Sequence, residues 1–280
     1  MKRKLILVVL IILAGLICYP ILFLVSGSFM SGQELKENLK PLLTDYTDGY
    51  ISIGLIPIFP TLKNYVQILL DSPEFFVMFW NSVKMVLPIL ALQLMAGVPA
   101  AWGFAKYQFP CKKTLFTIYI ILMMMPFQVT MLSNYLVLDK LNLINTHLAI
   151  ILPAGFSTFP VFIMYRFFSD IPKEVIEAAK IDGAGAIQVF RYVAIPIGSA
   201  GIISAMVLSF LECWNLIEQP MTFLSDQSKW PLSLYLPTIT PETAGSAFAS
   251  SIIGLIPAIL VFMAGQDYLE KGIMASAVKE

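Results

Sequence analysis

A chain of 280 residues that is 58% hydrophobic and only 13% charged, with 18 basic side chains against 18 acidic ones, has the composition of an integral membrane protein. Zero net formal charge and the lack of a long basic run exclude a nucleic-acid-binding module. Cys18, Cys111 and Cys213 are too scattered for a disulfide framework or a metal cluster and read as packing residues.

In chain order, Lys2, Arg3 and Lys4 precede an uncharged apolar run that begins at Leu5, and a first span is placed at 5–27. At 1.5 Å per residue it crosses about 30 Å of hydrocarbon. Small residues at Ser26-Gly27-Ser28 suit a signal peptidase, but the apolar run is longer than a usual signal core, so the helix is read as retained. Residues 29–74 are polar, broken by Pro41, Pro57, Pro60 and Pro73, and read as an extracytoplasmic loop. Further spans are placed at 75–101, 115–138, 148–168, 193–217 and 247–269, giving six helices in one all-α domain over 1–280. Both termini then lie on one side. Lys36, Lys40, Lys63, Lys140 and Lys229 fall on the other side and Lys84 inside a span, while all remaining lysines and arginines share the N-terminal side. The positive-inside rule therefore puts the termini, and a polar loop at 169–192, in the cytoplasm.

Proline and glycine interrupt several spans: Pro88, Gly97 and Pro99 in the second, Pro126 in the third, Pro153, Gly155 and Pro160 in the fourth, Gly254 and Pro257 in the sixth. Backbone groups freed at such kinks need neighbouring helices or a wet cavity, which suits a transporter. Lys84 and Glu212 are charges inside spans, at comparable depth in the outer half. Ionisable groups at that depth pair or line a wet pathway. Two readings follow: an ion pair between them, or a translocation pathway in which Glu212, Asn215 and Glu218 offer acceptors to solute hydroxyls, with Lys84 a further candidate.

The polar stretch from Ser169 to Pro196 reads as helix, glycine turn, helix. Asp170 can cap the first helix, Pro172 fits its first turn, and Glu174 and Glu177 favour its positive end. Val175, Ala178, Ala179 and Asp182 recur at helical spacing, a small-residue face that a partner can approach closely. Gly183 and Gly185 can end the helix in left-handed conformations. Ile187, Phe190 and Arg191 then begin an amphipathic turn that can rest on the membrane surface.

Pro172-Lys173-Glu174-Val175-Ile176-Glu177-Ala178-Ala179, then Ile181-Asp182-Gly183-Ala184, Phe190 and Ile195-Pro196, resembles the EAA loop of ABC importer permeases, in the form of the carbohydrate branch. Phe59-Pro60-Thr61-Leu62-Lys63-Asn64-Tyr65 with Asn81-Ser82 is similar to the corresponding part of those permeases, as is the tail from Gln266 through Lys279. Trp214-Asn215 with Pro220 resembles a further signature of the branch, although Leu216, Glu218 and Gln219 depart from its usual acidic, apolar and aromatic residues. The resemblance implies a type I ABC importer permease fold in a bacterial inner membrane, with a cytoplasmic coupling helix. Glu177, Ala178, Ala179, Asp182 and Gly183 would then dock on the ATPase. It implies as partners a second homologous permease, two ATPase subunits, an extracytoplasmic solute-binding protein and a sugar substrate. ATP and Mg would be bound by the ATPase.

The chain has no GxxxxGK[ST] loop, no GxSxG and no HExxH, so neither catalytic nor metal-ligating residues are assigned and no cofactor is expected in this chain. His147, the only histidine, reads as a loop residue, and Met123 to Met125 as packing or lipid contacts rather than a copper path. Two other readings stay open: an ion-coupled secondary transporter working without an ATPase, and a non-transporting membrane assembly subunit.

Overall fold

The computed structural model describes residues 2–43, 54–235 and 243–277, and over these the chain is helical with no strand. Helix α1 (Lys2–Ser28) is 27 residues long and carries exposed apolar side chains all round from Leu5 to Leu22, the pattern of a helix bathed in lipid. The segment read as a plain loop contains two short helices, α2 (Gly32–Leu43) and α3 (Lys63–Leu70); residues 44–53 within it lie outside the described residues.

A 34-residue helical stretch follows, made of α4 (Pro73–Leu92), a π turn at Gln93–Gly97 and α5 (Val98–Lys106). A second π turn, Phe190–Ala194, joins α11 (Ala186–Val189) to α12 (Ile195–Trp214). Both π turns end two residues before a proline, Pro99 or Pro196. A proline lacks an N–H and crowds the carbonyl four residues back, and widening the preceding turn relieves both.

The third span, expected at 115–138, is instead two helices, α6 (Lys112–Met124) and α7 (Phe127–Lys140), whose axes bend by 103°. Met125 and Pro126 between them are extended, since a residue ahead of proline is pushed out of the helical region. The 13 residues of α6 reach only about 20 Å, less than a membrane core. The fourth apolar stretch is likewise divided, into α8 (Leu148–Gly155) and α9 (Thr158–Asp170). Then come α10 (Lys173–Ile181), α11, α12, the short α13 (Glu218–Phe223) and the long α14 (Ala244–Ala277). Among the described residues five helices are long and apolar enough to cross a membrane, six if the bent pair counts as one span.

The chain read as one domain packs as two units, residues 1–79 with 235–257 and residues 80–234 with 258–280. In the first, Met30, Leu35, Leu39 and Ala244 form a core with Phe23 and Phe248. Buried Asn64 donates from Nδ2 to the carbonyls of Ser28 (2.9 Å) and Met30 (3.1 Å), so the Phe59 to Tyr65 motif works as a clamp on the end of α1.

In the second unit α5, α9 and α12 pack around Trp102, Val161, Met164, Phe168 and Ala205. Gly198 and Gly201 let α12 press against α9: a Cβ at either would come within 2.4 Å of Phe168 or Phe167. Such close approach over small residues is how apolar helices adhere in lipid, where burial alone gives no drive. At one end, Asn81 donates to the carbonyls of Ser228 (2.7 Å) and Trp230 (3.1 Å), and His147 Nε2 lies 3.1 Å from the carbonyl of Lys229. His147 thus belongs to a structural lobe. Asp226 there accepts from the Ser228 hydroxyl (2.7 Å) and amide (3.0 Å), which hold its carboxyl below the usual carboxylate range. A depressed folded-state pKa stabilises the lobe above the unfolded value and ceases to as pH falls through the folded one. Amide exchange at Ser228, corrected for intrinsic rate, is therefore expected to lose protection only in acid below that range, and Asp226→Asn to remove the pH dependence.

Candidate functional site

Two places hold the residues singled out above. The first is the loop around α10. Lys106, at the end of α5, donates from Nζ to the carbonyls of Ser169 (3.2 Å) and Ile171 (2.6 Å), closing the C-terminal end of α9. Asp170 is the last residue of α9, and the N-cap position of α10 is Pro172, which makes no side-chain cap. Glu174 in the first turn and Lys180 in the last oppose the helix dipole in the favourable sense.

The helix ends in a Schellman turn: Gly183 donates to the carbonyl of Lys180 and Ala184 to that of Ala179, both at 3.0 Å. Gly183 has φ +87°, which glycine alone adopts without cost. Gly185, expected left-handed too, is extended at φ −70°, and the Gln188 side chain accepts from its N–H at 2.7 Å. The expected single face of four residues also divides. Ala179, with Ile176 and Ala184, packs on the core, whereas Val175, Glu177, Ala178, Asp182 and Gly183 are exposed. Among the coupling candidates, Ala179 therefore seats the loop and the other four form its outer surface. Ile187 is 81% exposed beyond it, while Phe190 turns in against Trp102.

The second place is a cavity of about 550 Å³ in the unit of residues 80–234 with 258–280. Its wall collects the interruptions in the helices: Gln93 opens the π turn, Met125 stands at the α6–α7 bend, Phe156 and Ser157 separate α8 from α9, and Leu216 follows the end of α12. Broken backbone at membrane depth is tolerated where it lines such a space. Met123 and Met125 are wall residues, and Met124 is 76% exposed.

Of the four pathway candidates only Glu212 lines this cavity. Lys84 is exposed on α4 and makes no ion pair with Glu212, so the pairing expected from their similar depth is not formed. Depth follows from position along each helix, but meeting also requires the right rotation, which packing decides. Asn215 donates to the carbonyl of Leu211 (2.8 Å) and ends α12, and Glu218 accepts from Gln128 at 2.7 and 2.8 Å beside the cavity rather than in its wall. Trp214 is buried and stacked on Phe210, so the Trp-Asn-…-Pro pattern shapes the end of this helix.

Two residues were missed, Gln93 and Gln219. Both line the cavity, and the side-chain carbonyl oxygen of each is buried without a hydrogen-bond partner. Gln93 donates from Nε2 to the carbonyl of Ala154 at 2.9 Å. Its polar side chain in the apolar run between Pro88 and Val98 was the available signal. Among the described residues no group of three His, Cys, Asp or Glu side chains is placed to hold a metal.

Residues 93–275 match the family described as binding-protein-dependent transport system inner membrane component. The chain is 27% identical over 270 residues to the arabinooligosaccharides transport system permease protein of Halalkalibacterium halodurans, covering 95% of this chain and 93% of the other. It is 32% identical over 233 residues to a protein of Pyrococcus horikoshii named "Probable ABC transporter permease protein", covering 81% and 84%. It is 29% identical over 204 residues to the lactose transport system permease protein of Rhizobium radiobacter, covering 71% and 74%. Its fold is that of a chain in the crystal structure of a bacterial ABC transporter involved in import of the acidic polysaccharide alginate, with TM-score 0.80, 22% identity and coverage of 95% and 96%. With a family match over most of its length and an all-helical fold shared with an ABC transporter, this multi-pass membrane protein belongs to the binding-protein-dependent transport system inner membrane components, the permeases of ABC importers.

Proposed function

We propose that this permease imports sugars or oligosaccharides as one of two homologous membrane subunits, each supplying half of the pathway. The observation that carries the coupling part of this reading is α10, a short helix between long apolar stretches, closed by Gly183 at φ +87° and presenting Glu177, Ala178 and Asp182 outward. Two ATPase subunits grip this helix and its counterpart, hold ATP and Mg, and switch the cavity between inward-facing and outward-facing as they close. This chain lacks a phosphate-cradling loop and is not itself the catalyst. A solute-binding protein delivers the sugar from outside. The sugar class is supported by the arabinooligosaccharide and lactose transport relatives.

The test is reconstitution of the four-subunit complex and its binding protein in proteoliposomes. Oligosaccharide uptake is expected to require ATP. Uptake by this chain alone, driven by an ion gradient, would overturn the reading.

The distribution of Lys and Arg supports a cytoplasmic position for the termini and α10. Cysteines at Lys180 and Lys229, both on exposed positions or turns, are expected to be labelled by an impermeant maleimide from opposite sides, inside and outside respectively. Labelling of both from one side would break this topology.

A further inference from the structure

We infer that the 550 Å³ cavity is a solute subsite carried by this chain itself, built to accept hydrogen bonds from the hydroxyls of an uncharged oligosaccharide and closed to anionic sugars. The inference deepens the permease reading and rests on it.

The first ground is the state of three of the oxygen-bearing side chains that line it. Gln93 is 3% exposed, and the Oε1 atoms of Gln93 and Gln219 are both buried with no partner. The Glu212 carboxylate, also on the wall, makes no hydrogen bond or ion pair among the described residues. Buried acceptors are ordinarily satisfied, so two unpaired carbonyl oxygens on lining side chains, beside a carboxylate without a partner, mark groups that a small turn of the glutamine side chains would offer to donors from a ligand. Hydroxyl groups supply them.

The second ground is size and lining. At about 550 Å³ the cavity lies within the range of small-molecule sites. That is far more room than a cation needs, which oxygen ligands enclose at about 2 to 2.6 Å. Phe127, Phe156 and Phe159 add flat apolar surface suited to the C–H faces of sugar rings.

The third ground is charge. Among the described residues the wall carries one carboxylate and no lysine, arginine or histidine. A uronate or sugar phosphate meets no cation on this wall that could pair with it, and brings its negative charge towards the Glu212 carboxylate. Neutral polyhydroxyl solutes meet neither obstacle.

The experiment uses the complete transporter in proteoliposomes, matched for assembly by size exclusion. The probes are neutral di- to tetrasaccharides from hydrolysed starch and arabinan, mixed with uronate oligomers from hydrolysed polygalacturonan, and the imported sugars are identified by mass spectrometry. The wild type is expected to import neutral oligomers and exclude uronates. Gln219→Leu and Glu212→Leu are each expected to slow neutral uptake about tenfold or more, as loss of a hydrogen bond to a polar or charged group does. Gln219→Glu and Glu212→Gln keep acceptor oxygens and should retain most of it, an outcome that a merely structural role would not separate from the leucine variants. Comparable import of uronates by the wild type, or unchanged neutral uptake in both leucine variants, would overturn the inference while leaving the permease reading standing. No ATP-driven import of any oligomer by the wild type would overturn both.

Discussion

Valine in place of Gly183 is expected to abolish ATP-driven uptake and release the ATPase while the chain still inserts and folds. The reason is conformational rather than steric: a Cβ built at Gly183 meets nothing within 4 Å, but the residue sits at φ +87°. An ordinary L residue in a left-handed conformation costs about 1–2 kcal/mol, and a β-branched one is a genuine outlier there. The Schellman bonds from Gly183 and Ala184 would give way first, turning the end of α10 and with it Asp182. Gly183 is exposed and contributes nothing to the core, so membrane insertion is spared. Gly185→Ala is the control, because its φ of −70° suits any residue and only Gln188 Oε1 lies near, at 3.6 Å. Co-purification of the ATPase with each variant decides the matter. Full recovery with Gly183→Val would remove α10 from the coupling role.

The other large effect is expected at Gly201. A Cβ there would lie 2.4 Å from Phe167 Cγ and 2.6 Å from its Cβ, at the root of the ring rather than its tip, so rotation of the side chain offers no escape. Gly201→Leu should drive α12 away from α9, the tightest pairing of the second unit, and exceed the about 1–3 kcal/mol usual for overpacking. Accumulation of folded, monodisperse protein in detergent is expected to fall at least tenfold. Phe167→Gly in the same chain, which removes the Cβ as well as the ring, should recover part of it, since the two changes share one contact and are not additive. A Gly201→Leu protein that accumulates normally would show that the two helices are free to separate.

How much was legible beforehand differs by kind of feature. The uncharged run after Lys4 and the polar loop ending at Gly183 were readable because composition and turn chemistry are local properties. Pro126 marked where the third stretch would break, but a proline announces only a missing donor and a crowded carbonyl. The 103° between α6 and α7 is not announced by it; α6 packs on α9 and α7 on α13. Ala179 was grouped with Ala178 by spacing, yet adjacent helical residues point about 100° apart and the core took one of them. Lys84 and Glu212 stand out because they are charged, whereas Gln93, neutral and equally unable to leave its polar atoms unmet, does not, and Gln219 stands out only as a departure from a signature.

The two π turns ahead of Pro99 and Pro196 have a bearing on register. Each amounts to one residue inserted into an otherwise α-helical rod, and one residue is worth about 100° of azimuth. Everything after the insertion is rotated in phase relative to everything before it. In the first rod, the cavity wall at Gln93 and the aromatic core at Trp102 are therefore indexed separately, by a single extra residue between them. An alignment of this stretch with a straight helix is off by one from that point on, so a side chain judged inward by unbroken periodicity is assigned to the wrong face.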